Sequence, residues 1–172
     1  IPAAMTAVRA LLTSGAHAVK LEGVDGHEDV IRQIVGSGVP VMGHLGLTPQ
    51  SVNQFGGFRV QGRNGDDAAK VLRQALALEA LGCFSIVLEC IPADLAACIT
   101  SRLAIPTIGI GAGAGTDGQV LVLQDLWGVD TSRTPRFVRR YVDGERVLTD
   151  ALNQYDADVK ETSFPSPEES YS

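Results

Sequence analysis

Cysteine is sparse in this chain and carries none of the spacings that bind zinc or run redox chemistry. Cys83, Cys90 and Cys98 are an odd three in 172 residues, with no Cys-x-x-Cys pair. Cys83 and Cys98 read as small core residues, and a reducing, intracellular compartment suits them. Long apolar runs are also missing. No stretch reaches the roughly 18 residues that cross a bilayer, and no secretory signal is visible. Positive charge is short: 14 Lys and Arg stand against 20 Asp and Glu, for a net charge of −6 at pH 7. No basic stripe marks a nucleic-acid footprint. The densest cationic stretch, residues 133–140, holds four arginines and reads as a solvated helix face. Neither a Gly-x-Ser-x-Gly elbow nor a Walker loop occurs. The run Gly109-Ile110-Gly111-Ala112-Gly113-Ala114-Gly115 lacks dinucleotide-binding spacing. Its glycines give room for a backbone to approach a ligand or a neighbouring loop.

What remains is an ordinary globular composition, 45% hydrophobic and 20% charged, long enough for one domain with a real core. Helix-period patterns cover residues 3–14, 27–37, 66–81 and 92–103. Short β-branched runs cover 17–21, 39–44, 84–90 and 106–111, with a last strand-like run at 119–123. Helices between short strands predict a parallel sheet with right-handed crossovers. Residues 47–64 form a long aperiodic stretch, the kind of loop that is usually functional. Further helices are expected at 135–147 and 149–160, followed by a surface-lying or disordered arm. The expected division is a barrel portion at 1–148 and a C-terminal helix with its arm at 149–172.

Three strands end in ionisable residues: Val19-Lys20-Leu21-Glu22-Gly23, Val41-Met42-Gly43-His44 and Ile86-Val87-Leu88-Glu89-Cys90. A buried strand has little structural use for such residues at its carboxyl end, whereas an α/β enzyme builds its active site there. This favours the second half of a (β/α)₈ barrel over a doubly wound sheet. Five strands do not close such a barrel, so the rest is expected upstream of Ile1, in a longer protein. Lys20 and Glu22 flank Leu21, and period-two alternation puts both on one face. They form either a structural ion pair or a site in which Lys20 binds a substrate anion and Glu22 holds a hard cation such as Mg²⁺. Glu89 ends an apolar run. Desolvation disfavours its charged form, the tuning expected of a proton-abstracting base; the other reading is a strand-end Glu that caps the helix after Pro92. His44 fits a general acid, a metal ligand, a donor to an oxyanion or a satisfied core histidine. His17 reads as structural and His27 as plain surface.

Five blocks together resemble one family. They are Val19-Lys20-Leu21-Glu22-Gly23; Gly43-His44-Leu45-Gly46-Leu47-Thr48-Pro49-Gln50-Ser51; Gly56-Gly57-Phe58-Arg59-Val60-Gln61-Gly62-Arg63; Leu88-Glu89-Cys90-Ile91-Pro92; and Ile105-Pro106-Thr107-Ile108-Gly109-Ile110-Gly111-Ala112-Gly113. In order and spacing they resemble the ketopantoate hydroxymethyltransferases, from the first helix to about Tyr141. The resemblance implies a (β/α)₈ TIM-type barrel, of which this chain supplies roughly the last five strands. It implies a Mg²⁺-dependent transfer of a hydroxymethyl group from 5,10-methylenetetrahydrofolate to α-ketoisovalerate (3-methyl-2-oxobutanoate), giving ketopantoate for pantothenate synthesis. Matched by position, Lys20 would bind the keto acid, Glu22 would belong to the metal site, Glu89 would take the C3 proton and His44 would be a hydrogen-bond partner in the pocket. The family also uses two aspartates from earlier strands, one followed by Ser; those motifs are not in this chain and would lie before Ile1. A cytoplasmic homo-oligomer, commonly a decamer, is implied as well. Two other readings stay open: a folate-independent Mg²⁺-dependent aldolase or lyase of the phosphoenolpyruvate/pyruvate barrel type, and a non-catalytic homologue.

Overall fold

Helix and strand periods alternate along the first two thirds of the chain, and the computed structural model follows them. Residues 1–49, 59–130 and 134–171 are described. The elements run α1 (Pro2–Thr13), β1 (Val19–Glu22), α2 (Glu28–Gly36), β2 (Val41–Gly46), α3 (Gly65–Ala80), β3 (Ser85–Glu89), α4 (Ala93–Thr100), β4 (Thr107–Ile110), β5 (Gly118–Gln119), α5 (Leu123–Trp127) and α6 (Gly144–Lys160). Half of the long loop expected at 47–64, residues 50–58 with Gln50, Ser51 and Gly56 to Phe58 of the family blocks, lies outside the described residues, as does Arg133.

The described residues cluster into two compact units, Ile1–Val120 and Leu121–Ser172. In the first, all strands pair in parallel, in the order β1-β2-β3-β4-β5. Each strand lies beside its sequence neighbours, which is the winding of a (β/α) barrel; a doubly wound sheet reverses direction partway. The fold is α/β, as the alternating pattern predicts.

Alternation divides the sheet into two faces. Val19, Val41, Leu45, Ile86 and Leu88 belong to the apolar core, with Ile31 and Ile34 of α2, Val71, Ala75 and Leu78 of α3, and Ala96 and Ile99 of α4. Each large side chain so buried contributes about 1.5–3 kcal/mol. Two end features fix the best-built helix. Asn64 caps α3 by accepting from the Asp67 N–H. At its other end the Glu79 carboxylate accepts from the Ala104 and Ile105 N–H groups, which ties α3 to the approach to β4. The glycine run after β4 serves packing on α4. A Cβ at Gly113 would overlap Ala93, and one at Gly115 would lie 2.7 Å from the Ala97 Cβ. The neighbour that those glycines admit is a helix.

The second unit departs from expectation. Residues 135–143 are not helical. Their hydrogen bonds go elsewhere: Val138 N–H to the Pro135 carbonyl in a turn, Tyr141 N–H to Leu126, and the Arg140 guanidinium to Thr134 Oγ1 and the Asp130 carbonyl. Arg136, Arg139 and Arg140 therefore sit on irregular chain, not on a helix face. Helix α6 starts at Gly144 and takes in the second expected helix, 149–160. The strand-like run at 119–123 pairs with β4 only at Gly118–Gln119, and its end becomes the short helix α5, closed by a left-handed Gly128. The tail lies at the surface and includes a 3₁₀ turn, Pro167–Glu169, held by a capping box between Ser166 and Glu169. Among the described residues no helix is long and apolar enough to cross a membrane.

Candidate active site

Opposite the helices, the same strands carry polar side chains. Parallel register places Glu22 beside His44, His44 beside Val87 and Gly46 beside Glu89. Register partners point to the same side, so Lys20, Glu22, His44 and Glu89 converge at the carboxyl ends of β1, β2 and β3. The sequence expected these residues together, and the fold brings them together.

His44 is the hinge of the group. It is 2% exposed, yet it is no member of the apolar core. Lys20 Nζ lies 3.1 Å from His44 Nδ1. An ammonium has only donors, so Nδ1 accepts and the neutral ring carries its proton on Nε2. Nε2 faces Glu89, with Oε2 3.0 Å away. That contact has the distance of a hydrogen bond without its alignment, and Nε2 is a buried polar atom with no hydrogen-bond partner. Glu22 Oε1 lies 3.7 Å from His44 Nδ1 and 3.8 Å from Lys20 Nζ. The Lys20 side chain is half exposed, whereas those of Glu22 and Glu89 are 14% and 17% exposed. The arrangement offers an accessible cation, a buried imidazole N–H and a shielded carboxylate, side by side.

Cys90 follows Glu89 and is buried. Burial pushes its thiol up, and the Glu89 charge adds to the rise. It is therefore a protonated thiol at neutral pH and a poor nucleophile. Among the described residues no group of three or more His, Cys, Asp or Glu is placed to hold a metal ion. Glu22 supplies one hard oxygen donor, and the described residues alone do not make a Mg²⁺ site.

A cleft of about 560 Å³ opens beside Glu22, lined also by Asp25, His27, Gln61, Asp67, Lys70 and Gln74. Gln74 Nε2 donates to Asp25 Oδ2 at 2.8 Å, and Lys70 Nζ lies 3.5 Å from the same oxygen. His27 is exposed as expected, but it borders this cleft. The Asp25–Gln74 link has no local sequence signal, because its partners lie 49 residues apart. His17 is exposed and precedes β1.

The profile of the family described as ketopantoate hydroxymethyltransferase matches residues 2–167. A protein named 3-methyl-2-oxobutanoate hydroxymethyltransferase from Francisella tularensis subsp. tularensis (strain SCHU S4 / Schu 4) is 57% identical over 167 residues, 97% of this chain and 63% of its own length. One of the same name from Bdellovibrio bacteriovorus is 57% identical over 172 residues, 100% of this chain and 65% of its own length. A third, from Anaeromyxobacter dehalogenans (strain 2CP-1 / ATCC BAA-258), is 54% identical over 169 residues, 98% of this chain and 55% of its own length. The chain thus spans less than two thirds of each of these three relatives.

Proposed function

The chain belongs to the ketopantoate hydroxymethyltransferase family, and from that premise we propose that it acts in transfer of a hydroxymethyl group to 3-methyl-2-oxobutanoate, giving ketopantoate. The one-carbon donor is 5,10-methylenetetrahydrofolate, with water supplying the hydroxyl oxygen. The observation that carries this reading is the convergence of Lys20, His44 and Glu89 at three adjacent strand ends.

Lys20 pairs with the carboxylate of the keto acid. Glu89 takes the proton from C3, and the bonding pair passes into the enolate. His44 offers its Nε2–H, unclaimed by an aligned acceptor, as a hydrogen-bond donor to the substrate. Water releases the methylene carbon of the donor as formaldehyde, both C–N bonds breaking as tetrahydrofolate leaves; the enolate carbon then adds to that carbonyl, and its oxygen takes up the proton that Glu89 had removed, giving the hydroxymethyl group. In this proposal Glu22 would contribute one carboxylate to a Mg²⁺ site whose other ligands come from outside the described residues, and an ion held there would supply Lewis acidity. A cytoplasmic homo-oligomer, decameric as in the family, belongs to the same reading.

Proton exchange tests it. The intact protein is incubated with 3-methyl-2-oxobutanoate and Mg²⁺ in D₂O without folate, and the C3 proton is followed by NMR. Loss of the signal in wild type but not in Glu89→Gln supports enolisation with Glu89 as base. Product formation only after the folate donor is added then separates this activity from a folate-independent aldolase. Absence of exchange in folded wild-type protein overturns the reading in favour of a non-catalytic homologue.

A further inference from the structure

The residue after Glu89 has a backbone conformation that most side chains avoid. Cys90 has φ 49°, and Thr162 is the one other non-glycine residue at positive φ among the described residues. Backbone hydrogen bonds hold this turn from three directions. Leu47 N–H donates to the Glu89 carbonyl at 2.8 Å, Cys90 N–H to the Ile110 carbonyl at 2.9 Å and Gln61 N–H to the Cys90 carbonyl at 2.9 Å. Gly46, the register partner of Glu89, has φ 90°. A Cβ there would overlap the Glu89 carbonyl oxygen and come within 2.8 Å of Ile91 Cγ2. The close approach at Gly46 and the left-handed turn at Cys90 thus act on the two sides of one peptide group.

We propose that Gly46 and Cys90 are positioning residues for Glu89. Gly46 lets β2 close onto the Glu89 carbonyl, and the turn at Cys90 ends β3 within a single residue. Together they fix the direction in which the Glu89 side chain leaves the sheet, with Oε2 3.0 Å from His44 Nε2. The inference rests on the reading of Glu89 as the base. Abstraction from carbon tolerates little displacement: about 1 Å of misplacement costs on the order of 100-fold in rate. A glycine at position 90 keeps the turn without strain, whereas a β-branched residue resists it.

Three variants of the intact protein test this: Cys90→Gly, Cys90→Val and Gly46→Ala. Each is measured for C3 proton exchange, for keto-acid affinity and for the ¹⁵N resonance of His44 Nε2. The expected result is that Cys90→Val and Gly46→Ala lose roughly 100-fold in exchange while affinity holds. Their Nε2 resonance should move as it does in Glu89→Ala. Cys90→Gly should keep both the wild-type resonance and exchange within about threefold. A change confined to thermal stability, with exchange and resonance unmoved in the folded fraction of Cys90→Val, overturns the proposal. So does a loss of exchange in Cys90→Gly equal to that in Cys90→Val. Where Gly46→Ala fails to fold, the two Cys90 variants decide. Where wild type itself exchanges nothing, the functional reading fails, and the resonance still decides whether these two residues set the place of Glu89.

Discussion

The two faces of the sheet use the same strands for opposite ends. On one face Leu45, Ile86 and Leu88 are buried against α2, α3 and α4. On the other, one residue away along each strand, stand His44, Val87 and Glu89. Leu88 is wholly buried while the adjacent Glu89 side chain is 17% exposed. The helix-facing side holds apolar groups that need no partners. The opposite side holds His44 and Glu89, both shielded from water, and the buried His44 Nε2 atom has no aligned hydrogen-bond partner. An unpaired buried polar atom costs about 1–3 kcal/mol, so the second face gives up stability that the first supplies. That asymmetry is the usual relation between a scaffold and the site built on it.

Adjacent substitutions on β3 break the comparison most directly. Glu89→Gln should lower the rate of C3 proton exchange by about 10²–10⁴-fold and leave the thermal midpoint near that of wild type. Leu88→Ala should do the reverse. It removes a fully buried side chain and should cost about 2–5 kcal/mol in urea denaturation, with exchange per folded molecule retained. Equal losses of stability from both would mean that the two faces are not functionally distinct. Next in size is Lys20→Met. Its half-exposed ammonium is read as a binding group, so KM for the keto acid should rise roughly tenfold with kcat little changed, the pattern of lost uniform binding. A fall in kcat at constant KM would assign Lys20 to the chemical step.

Much of this division was legible in the sequence, because it rests on short-range periodicity. Lys20 and Glu22 two apart, and Glu89 after Ile86-Val87-Leu88, declare their faces without any knowledge of the fold. The run Val41-Met42-Gly43-His44 likewise sets His44 at a strand end, at the same edge. The register that sets His44 between Lys20 and Glu89 was not legible, since it depends on how three strands are staggered. Nor was the left-handed Cys90, as nothing local marks a cysteine for that conformation. In the second unit the pattern misled. Residues 135–147 have helical spacing, but Tyr141 and Arg140 find partners in Leu126, Asp130 and Thr134, and those tertiary hydrogen bonds outweigh local propensity.

The smallest expected effect separates the thiols at the two ends of β3. Cys83 precedes the strand in the helix-facing core, 2% exposed, and burial pushes its thiol from the ordinary 9.0 up to about 11. Between those values the unfolded chain has lost the proton that the folded protein keeps. Stability from this group is therefore complete below pH 9 and declines as pH rises toward about 11, by roughly 1 kcal/mol per pH unit. Cys83→Ala should flatten that decline in denaturation measured across the window; an unchanged slope would assign it to other groups. Cys90 differs because the Glu89 charge adds to the effect of burial. Glu89→Gln should thus let iodoacetamide label Cys90 at lower pH than in wild type, while the Cys83 profile stays put. A parallel shift of both thiols would erase the distinction, because it would make the charge of Glu89 felt equally in the apolar core and at the strand end where the chemistry is placed.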